Sequence, residues 1–467
     1  MASKGTANGL GLARAKMRDA GVDDLAIDTF AHYYRLLEHG ETGMIAEDSI
    51  DPLDMPSLAD VDVPDDVAAE AISRTVVVKL NGGLGTSMGM SRAKSLLCVR
   101  RGLSFLDIIA RQVLHVRTQY DAVLPVLFMN SFRTSADTMA ALGRYEGLAV
   151  DGLPLEFLQN KEPKLLAADL MPAAYPKNPD LEWCPPGHGD IYTAMRGAGL
   201  LGQLIEAGYR YVFVSNSDNL GAVPDARVAG WFAQSGAPFA IEAVRRTPSD
   251  RKGGHFARRR QDGRIVLRES AQTLDSDREA LADLDRHRFC STNNLWFDLQ
   301  AMEKALDARS GILGLPLIRN VKHLDPSDPR TPEVIQIETA MGAAIEVFEG
   351  ALTIEVGRDR FVPVKTTDDL LVLRSDVYGL GKDFVLDQVA DDVPLVTLDG
   401  DFYQLVGDFD KRFPEGAPSL REASSLSVEG DWTFGPGVTV LGDVALSSVA
   451  AQRIAGGTTL GEQDSDG

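Results

Sequence analysis

Cysteine is scarce in this sequence. Only Cys98, Cys184 and Cys290 occur among 467 residues, and they lie far apart. Three widely spaced thiols supply neither a disulfide framework nor the ligands of a structural zinc site. Each is interpreted as a small buried residue or an unreactive thiol.

Long apolar runs are also missing. No stretch of about 18 residues is apolar enough to cross a bilayer. Residues 1–17 lack the apolar centre of a signal peptide. These absences predict a cytoplasmic protein without a membrane partner.

Positive charge is in deficit. Lys and Arg number 47 against 68 Asp and Glu, which gives a net charge of −21. General nucleic-acid binding requires a basic surface and is therefore excluded. An anionic small-molecule substrate would need a local basic pocket, and a chain of this length suggests two or three domains.

Glycine is concentrated in residues 75–97, TVVVKLNGGLGTSMGMSRAKSLL. The β-branched run at 75–80 predicts a buried strand that stops at Asn81, and an apolar helical spacing predicts a helix over 96–113. Between them, Gly82, Gly83, Gly85 and Gly89 leave main-chain N–H groups open to a ligand such as a phosphate. A plain strand-to-helix turn is the alternative.

Two familiar phosphate loops do not fit this stretch. Ala93 stands before Lys94 where a P-loop needs glycine, and Met88 stands where the dinucleotide fingerprint needs its third glycine. The string KLNGGLGTSMG instead resembles the loop of UTP–glucose-1-phosphate uridylyltransferases of the eukaryotic type. The resemblance implies that the backbone of Leu80, Asn81, Gly82 and Gly83 holds a nucleotide, and that Lys94 grips its phosphates.

Three domains are predicted. Residues 1–74 form an N-terminal helical extension with a helix over 25–37, and residues 75–385 alternate β-like and helix-like runs. That alternation is typical of an α/β domain with a mainly parallel sheet and ligands at the carboxyl ends of its strands. The strands are predicted at 123–129, 155–158, 209–214, 238–244 and 294–297. The family implies a Rossmann-like nucleotidyltransferase fold here.

Residues 386–467 form the third predicted domain. Short β-like stretches recur over 426–449 between glycines, as if one rung followed another. They resemble the short C-terminal left-handed β-helix of the family, and the acidic tail, 456–467, is predicted to be disordered. An uncovered β-helix end would present unpaired strand edges, which suggests a homo-oligomer joined through this domain.

Asp218 lies in FVSNSDNLGA, just beyond an apolar strand. A carboxylate there could bind Mg²⁺ together with substrate phosphates. Asp218 or Asn216 could equally cap the next helix. The string resembles the family motif in which the aspartate holds the metal and the asparagine contacts the bound nucleotide and sugar.

WCPPGHGDIYTAM, residues 183–195, combines rigid prolines with permissive glycines in a shaped loop. A lone histidine such as His188 is more often structural than catalytic, yet it can donate to a hydroxyl or phosphate. The loop resembles the family segment in which Gly187 wraps the base and His188 touches the sugar phosphate.

Gln159 follows another predicted strand in FLQNKEPKL. Its amide has the donor and the acceptor needed to read the edge of uracil, although an exposed loop glutamine usually has no such role. The family places a uracil-reading glutamine at this position.

Lys365 ends a β-like run in FVPVKTTDDLL and precedes a predicted helix start, where anions are favoured. A single lysine is most often a solvated surface charge. The string resembles the family motif whose lysine binds the phosphates in transfer.

Gly254 in DRKGGHF, and Asn293 and Asn294 in STNNLWF, could be ordinary turn residues. They resemble family segments that contact the hexose. Three positions depart from the family pattern: Ala93 replaces a proline, Arg92 replaces a small residue, and His255 replaces a threonine.

The resemblance runs from about residue 25 to 445 and implies transfer of a uridylyl group from UTP to glucose 1-phosphate, with Mg²⁺ as cofactor. Two alternatives stay open. A UDP-N-acetylhexosamine pyrophosphorylase would share the loop and fold, and a catalytically silent sugar-nucleotide binding protein would keep only the binding site. The presence of Lys94, Lys365 and Asp218 argues against a protein without catalytic activity.

Overall fold

The computed structural model describes residues 6–251 and 253–461. Its centre is a seven-stranded sheet. In chain order the strands are β1 Thr75–Asn81, β2 Val126–Asn130, β3 Glu156–Leu158, β4 Tyr211–Asn216, β5 Phe239–Arg245, β6 Phe289–Asp298 and β7 Leu352–Glu355. They lie side by side in the order β7-β5-β6-β4-β1-β2-β3.

Six of the seven strands run in one direction, which confirms the mainly parallel sheet. Only β6 runs antiparallel to both of its neighbours, β4 and β5. Because of this reversal, the first half of β6 lies at the edge where the other strands end. Function is therefore expected at that edge.

The sheet is buried on both faces. Val77 packs into one hydrophobic core, while Val76 and Val78 pack into the other, as the alternation of side chains along a strand requires. The helices of eight or more residues in the chain are Thr6–Asp19, Asp24–Glu38, Asp65–Ser73, Phe105–Tyr120, Ser135–Leu142, Ala226–Ser235, Leu299–Asp307 and Thr367–Arg374. The shorter ones are Ile191–Gly197, Leu200–Glu206, Arg278–Ala282, Gly400–Tyr403 and Val406–Arg412.

The helix expected at 96–113 begins later than predicted. Cys98–Arg100 and Leu103–Ser104 form a small antiparallel hairpin, and the helix runs over Phe105–Tyr120. Ser104 and Asp107 form a reciprocal capping box that fixes this start. The prediction failed because the apolar residues of the hairpin continue the helical spacing.

The N-terminal segment contains the helix predicted at 25–37, which spans Asp24–Glu38. With Thr6–Asp19 it packs on a small antiparallel sheet, Ile318–His323, Glu333–Glu338 and Leu165–Leu166, through one shared apolar cluster. Residues 1–5, where part of the signal-peptide argument falls, lie outside the described residues.

The C-terminal segment stacks parallel strands at an interval of 20 residues, since Ser419 pairs with Thr439 and Thr439 with Thr459. One sheet contains Leu395–Leu398, Ser419–Glu429, Thr439–Ser447 and Thr459–Leu460, and a second contains Trp432–Phe434 and Gln452–Ile454. The rung-like arrangement agrees with the sequence, and its left-handedness stays a prediction.

The predicted disorder of the tail is wrong in part. Thr459–Leu460 forms a strand that pairs with Thr439 and Val440, and residues 462–467 lie outside the described residues. The remaining short strands of the chain are Ile50–Pro52, Glu162–Pro163, Trp183–Cys184, His255–Arg259, Ile265–Arg268, Tyr378–Leu380 and Leu386–Gln388. Within the described residues, no helix is long and apolar enough to span a membrane.

Candidate active site

The glycine-rich loop leaves β1 at the edge where the parallel strands end. Gly85 has φ +65° and lies under the side chain of Lys94, whose Cγ would be 3.3 Å from a Cβ at this position. The Lys94 N–H donates to the Gly83 carbonyl at 3.0 Å and closes the loop. Because position 85 is glycine, the Lys94 side chain can cross the loop without meeting a Cβ.

Lys94 connects three segments. Its Nζ lies 2.8 Å from Asp218 Oδ2 and also donates to the Val364 carbonyl. Both side chains are partly exposed, and the Val364 N–H donates to the Asp218 carbonyl at 3.1 Å. The structure thus brings together the lysine, the aspartate and the segment that contains Lys365.

Lys365 is exposed and directly precedes the helix Thr367–Arg374. Its N–H donates to Asp369 Oδ2 at 2.7 Å, and a capping box between Thr366 and Asp369 fixes the helix start. The charge of Lys365 opposes the effect of burial, which raises the pKa of Glu269. Lys365 therefore lies close enough to Glu269 to influence its charge.

Gln159 joins the glycine loop to the proline-glycine loop. Its Nε2 donates to the Gly187 carbonyl at 2.9 Å, and its Oε1 would lie 2.8 Å from a Cβ at Gly82. Gly187 has φ +78° and could not add a Cβ without meeting Thr339. The two residues assigned to the base, Gln159 and Gly187, thus lie together beside Gly82 of the nucleotide loop.

Hydrogen bonds within the protein already engage two groups just before the glycine loop. The Asn81 side-chain amide donates to Asn130 Oδ1 at 2.8 Å and to Thr138 Oγ1 at 2.9 Å, and the Leu80 backbone carbonyl accepts from the Ser217 N–H at 3.0 Å. A ligand at Asn81 would therefore meet the backbone rather than the asparagine amide.

His188 is a neutral residue in this site. Its Nδ1 accepts from the Met341 N–H at 3.0 Å, so the ring proton is on Nε2. Enclosure by the protein lowers the pKa of His188 to about 4. The ring can therefore donate from Nε2 near neutral pH without carrying a charge.

Asp190, two residues later, joins the loop to the base-reading segment. Its carboxylate accepts from the Asn160 N–H at 2.7 Å and from the Asn160 amide at 2.9 Å. Burial raises the pKa of Asp190 to about 7, although the bonds from Asn160 act in the opposite direction. Sequence reasoning did not select Asp190, although it lies in the singled-out string.

Two of the residues assigned to the sugar, Asn216 and Asn293, lie at the same edge of the sheet. Asn216 ends β4, and Asn293 has φ +57° at the register shift of β6. Asn294 is fully buried, and its amide donates to Glu242 Oε2 at 3.0 Å. The Asn294 side chain is therefore engaged in the core, and a role for it in binding would be indirect.

Gly254 lies on the far side of this region, against Glu269. A Cβ at Gly254 would meet Glu269 Oε2 at 2.8 Å and the Arg268 carbonyl at 2.8 Å. Glu269 lies against Gly254 and is influenced by the charge of Lys365. It is therefore a candidate site residue that sequence reasoning missed. Gly254 and Glu269 flank the hairpin of His255–Arg259 and Ile265–Arg268, in which His255 pairs with Arg268, so the hairpin register places them together. Lys365 comes from a segment far along the chain.

Within the described ranges, one cluster has three potential metal ligands, Glu47, His255 and His287. The two imidazoles are stacked with centroids 3.6 Å apart and planes at 20°, so their in-plane lone pairs cannot point at one ion. Arg268 and Arg286 also bind the Glu47 carboxylate. The cluster is a buried polar network rather than a metal centre.

Comparison with known proteins decides the family. The family model described as UTP–glucose-1-phosphate uridylyltransferase matches residues 27–441. A UTP–glucose-1-phosphate uridylyltransferase of Hordeum vulgare is 36% identical over 412 residues, which cover 86% of this chain and 84% of that protein. The chain belongs to the UTP–glucose-1-phosphate uridylyltransferase family.

Solved structures of the same family agree over nearly the whole length. A UDP-glucose pyrophosphorylase variant from Leishmania major in complex with UDP-glucose superposes with a TM-score of 0.91 at 42% identity, covering 97% of this chain and 98% of that one. A UDP-glucose phosphorylase from Trypanosoma brucei gives 0.91 at 40% identity with the same coverage. As a member of the uridylyltransferase family, the chain is a nucleotidyltransferase, as its sequence predicts.

One departure from the uridylyltransferase family pattern, Ala93, is explained by its backbone conformation. Ala93, which stands where the family has proline, is buried and has φ −51° and ψ 127°. This φ lies within the range to which a proline ring would restrict it. The loop therefore keeps the proline-like backbone that precedes Lys94, while Arg92 is exposed.

Proposed function

We propose that this protein transfers the uridylyl group of UTP to α-glucose 1-phosphate and releases UDP-glucose and pyrophosphate. The observation that carries the proposal is the meeting of Lys94, Asp218 and the Val364–Lys365 segment at one edge of the sheet. Two substrates that are both anionic need positive charge between them, which Lys94 and Lys365 would supply. The relatives crystallised with UDP-glucose support the same substrate class.

The base and sugar are assigned to opposite sides of this group. Backbone groups of Leu80, Asn81, Gly82 and Gly83 hold the nucleotide, and Gln159 with Gly187 reads uracil. On the sugar side, His188, Asn216, Gly254 and Asn293 contact the glucose phosphate, and Asn294 supports them from the core through Glu242. Glu269 joins the sugar side because it lies against Gly254.

No protein nucleophile is required. A phosphate oxygen of glucose 1-phosphate attacks the α-phosphorus of UTP in line, a new P–O bond forms, and the bond to the leaving pyrophosphate breaks. Lys94 and Lys365 align the two anions and stabilise the negative charge that moves to the leaving group. Neutral His188 donates a hydrogen bond to the sugar phosphate without changing the charge balance.

Asp218 is the residue proposed to hold Mg²⁺. Its carboxylate lies at a strand end and is partly exposed, and Mg²⁺ commonly takes one or two carboxylates while substrate phosphates supply further ligands. The metal would neutralise phosphate charge when bound.

A cytoplasmic location stays a prediction.

Pyrophosphate release tests the reaction. The purified protein is incubated with UTP, Mg²⁺ and either glucose 1-phosphate or N-acetylglucosamine 1-phosphate. Release with the first sugar phosphate alone supports the proposal, whereas a preference for the second identifies an acetylhexosamine pyrophosphorylase. UDP-glucose binding without release in either case identifies a silent binding protein.

A further inference from the structure

Lys79 places a charged side chain in the centre of the main sheet. It lies in β1 between β2 and β4, directly after the valines of 76–78, and is only 1% exposed. Its Nζ donates to Ser215 Oγ at 2.7 Å and to the Ala222 carbonyl at 2.7 Å. The ring of Phe213 lies 5.7 Å from the ammonium. Every contact of the charge is therefore inside the protein.

Stability alone does not account for this lysine. Removing an ammonium from water costs several kcal/mol, and a well-packed apolar residue in such a place is often neutral or stabilising. Three valines precede Lys79 in the strand, so an apolar residue would suit the position. A charge buried at this cost, directly before the nucleotide segment, points to a role in the site.

The charged groups that face Lys79 are one guanidinium and two carboxylates. Arg360 and Glu242 form a bidentate ion pair at 2.6 and 2.8 Å, and Asp225 lies 3.6 Å from Arg360 on its other side. Within the described ranges, no carboxylate forms an ion pair with Lys79 itself. Its two hydrogen-bond partners, the Ser215 hydroxyl and the Ala222 carbonyl, are neutral.

The two partners of Lys79 enclose the segment that contains Asp218. Ser215 lies three residues before Asp218 in β4, and Ala222 lies four residues after it. Lys79 itself is followed directly by the nucleotide segment, Leu80 to Gly83. The ammonium therefore holds the bases of both loops that we place around the phosphates.

The protonation of Lys79 responds to its surroundings. Burial lowers the pKa of Lys79 to about 7, Arg360 acts in the same direction, and Glu242 opposes them. Near neutral pH, part of the free protein therefore holds a neutral amine. A bound polyanion would favour the ammonium form and raise this pKa.

We propose that Lys79 is a positioning residue that takes up a proton when UTP binds, so that another positive charge lies beneath the phosphates. This inference rests on the nucleotide site of the proposed function. By linkage, the affinity for UTP should then decrease as the pH rises above 7, by at most about tenfold per pH unit.

Isothermal titration calorimetry measures the proton directly. Mg²⁺ and UTP are titrated into the full-length protein at pH 6, 7 and 8, in two buffers of different ionisation enthalpy, and the difference in heat gives the number of protons taken up. We expect uptake to increase from pH 6 to pH 8 in the wild type. Lys79→Met should lose this increase, and Ser215→Ala, which removes a contact but keeps the lysine, should retain it.

Equal proton numbers in the wild type and Lys79→Met at all three pH values would overturn the proposal. If Lys79→Met does not fold, Lys79→Arg replaces it, because arginine keeps its charge over this pH range and should also lose the increase. The absence of any UTP binding would instead overturn the proposed function. Comparison at equal pH cancels protons that belong to UTP itself.

Discussion

The Lys94 ammonium and the Asp218 carboxylate lie 2.8 Å apart and neutralise each other. The lysine is the residue proposed for the phosphates and the aspartate the one proposed for the metal. The ion pair is partly exposed, and pairs of that kind contribute little to stability, about 0 to 1 kcal/mol. Each residue can therefore be changed with a small loss of stability and a large loss of activity.

Asp218→Asn tests whether activity can be lost at this residue without a comparable loss of stability. We expect turnover to fall about 100-fold or more, because the charge that holds Mg²⁺ and orients Lys94 is lost, while the urea midpoint changes little. Pyrophosphate release and urea unfolding are measured side by side. The control is Asp392→Asn, an exposed aspartate, which should change neither. Full activity of Asp218→Asn at ordinary Mg²⁺ would remove Asp218 from the site.

Gln159→Ala tests base recognition. The Gln159 amide is held by the Gly187 carbonyl at 2.9 Å, and its loss should lower the preference for UTP over CTP by about 1 to 3 kcal/mol. The measurement is the ratio of kcat/KM for the two nucleotides. If the ratio does not change, backbone groups alone select the base.

The strings singled out for the site come together at one edge of the sheet, whereas the roles of their residues in binding and catalysis stay predictions. Asp218, Gln159 and Lys365 each lie in a distinctive segment, and strand ends of a parallel sheet bring such segments together. Glu269 was missed because the hairpin of His255–Arg259 and Ile265–Arg268, which places it beside Gly254, was not predicted. The antiparallel direction of β6 could not be predicted either, because its apolar pattern is the same in either orientation.

Gly82 and Gly83 offer a matched pair of substitutions. A Cβ at Gly82 would lie 2.8 Å from Gln159 Oε1, whereas a Cβ at Gly83 would meet no protein atom within 4 Å. We expect Gly82→Ala to weaken UTP binding and the UTP/CTP preference by displacing Gln159. Gly83→Ala should leave the thermal stability of the free protein unchanged and lose UTP affinity through contact with the ligand.

The two alanine variants separate two causes. Calorimetric UTP titration and thermal unfolding are measured for both. Normal UTP binding by Gly83→Ala would mean that the nucleotide does not lie against this part of the backbone. An unchanged UTP/CTP ratio in Gly82→Ala would show that Gln159 moves aside without consequence.

The edges of the C-terminal sheet are relevant to oligomerisation. The edges of their larger sheet are Leu395–Leu398 and the short strand Thr459–Leu460, and an uncovered edge can pair with another chain. We expect an oligomer joined through this C-terminal sheet. Its two central strands, Ser419–Glu429 and Thr439–Ser447, lie almost wholly within residues 420–455, and deletion of 420–455 should yield a monomer. Light scattering of the full-length protein decides this, because a mass near the 50.5 kDa of one chain at micromolar concentration contradicts it.

His255 should make the protein less stable in acid. The residue is fully buried, and its Nδ1 lies 3.1 Å from the Phe256 carbonyl. Burial, helped by the neighbouring His287, lowers the pKa of His255 to about 3. Below the ordinary histidine pKa of about 6.5, the unfolded chain therefore binds a proton that the folded protein excludes, and stability is lost as the pH falls.

The expected loss from this residue is about 2 kcal/mol between pH 6.5 and pH 5, because one pKa unit corresponds to about 1.4 kcal/mol. His255→Thr, which introduces the residue usual in the family, should remove that part of the pH dependence. His39→Thr, at an exposed histidine, serves as the control and should leave it unchanged. Urea unfolding at pH 5, 6 and 7.5 provides the comparison. Curves of stability against pH that stay parallel for the wild type and His255→Thr would show that His255 is protonated equally in the folded and unfolded protein.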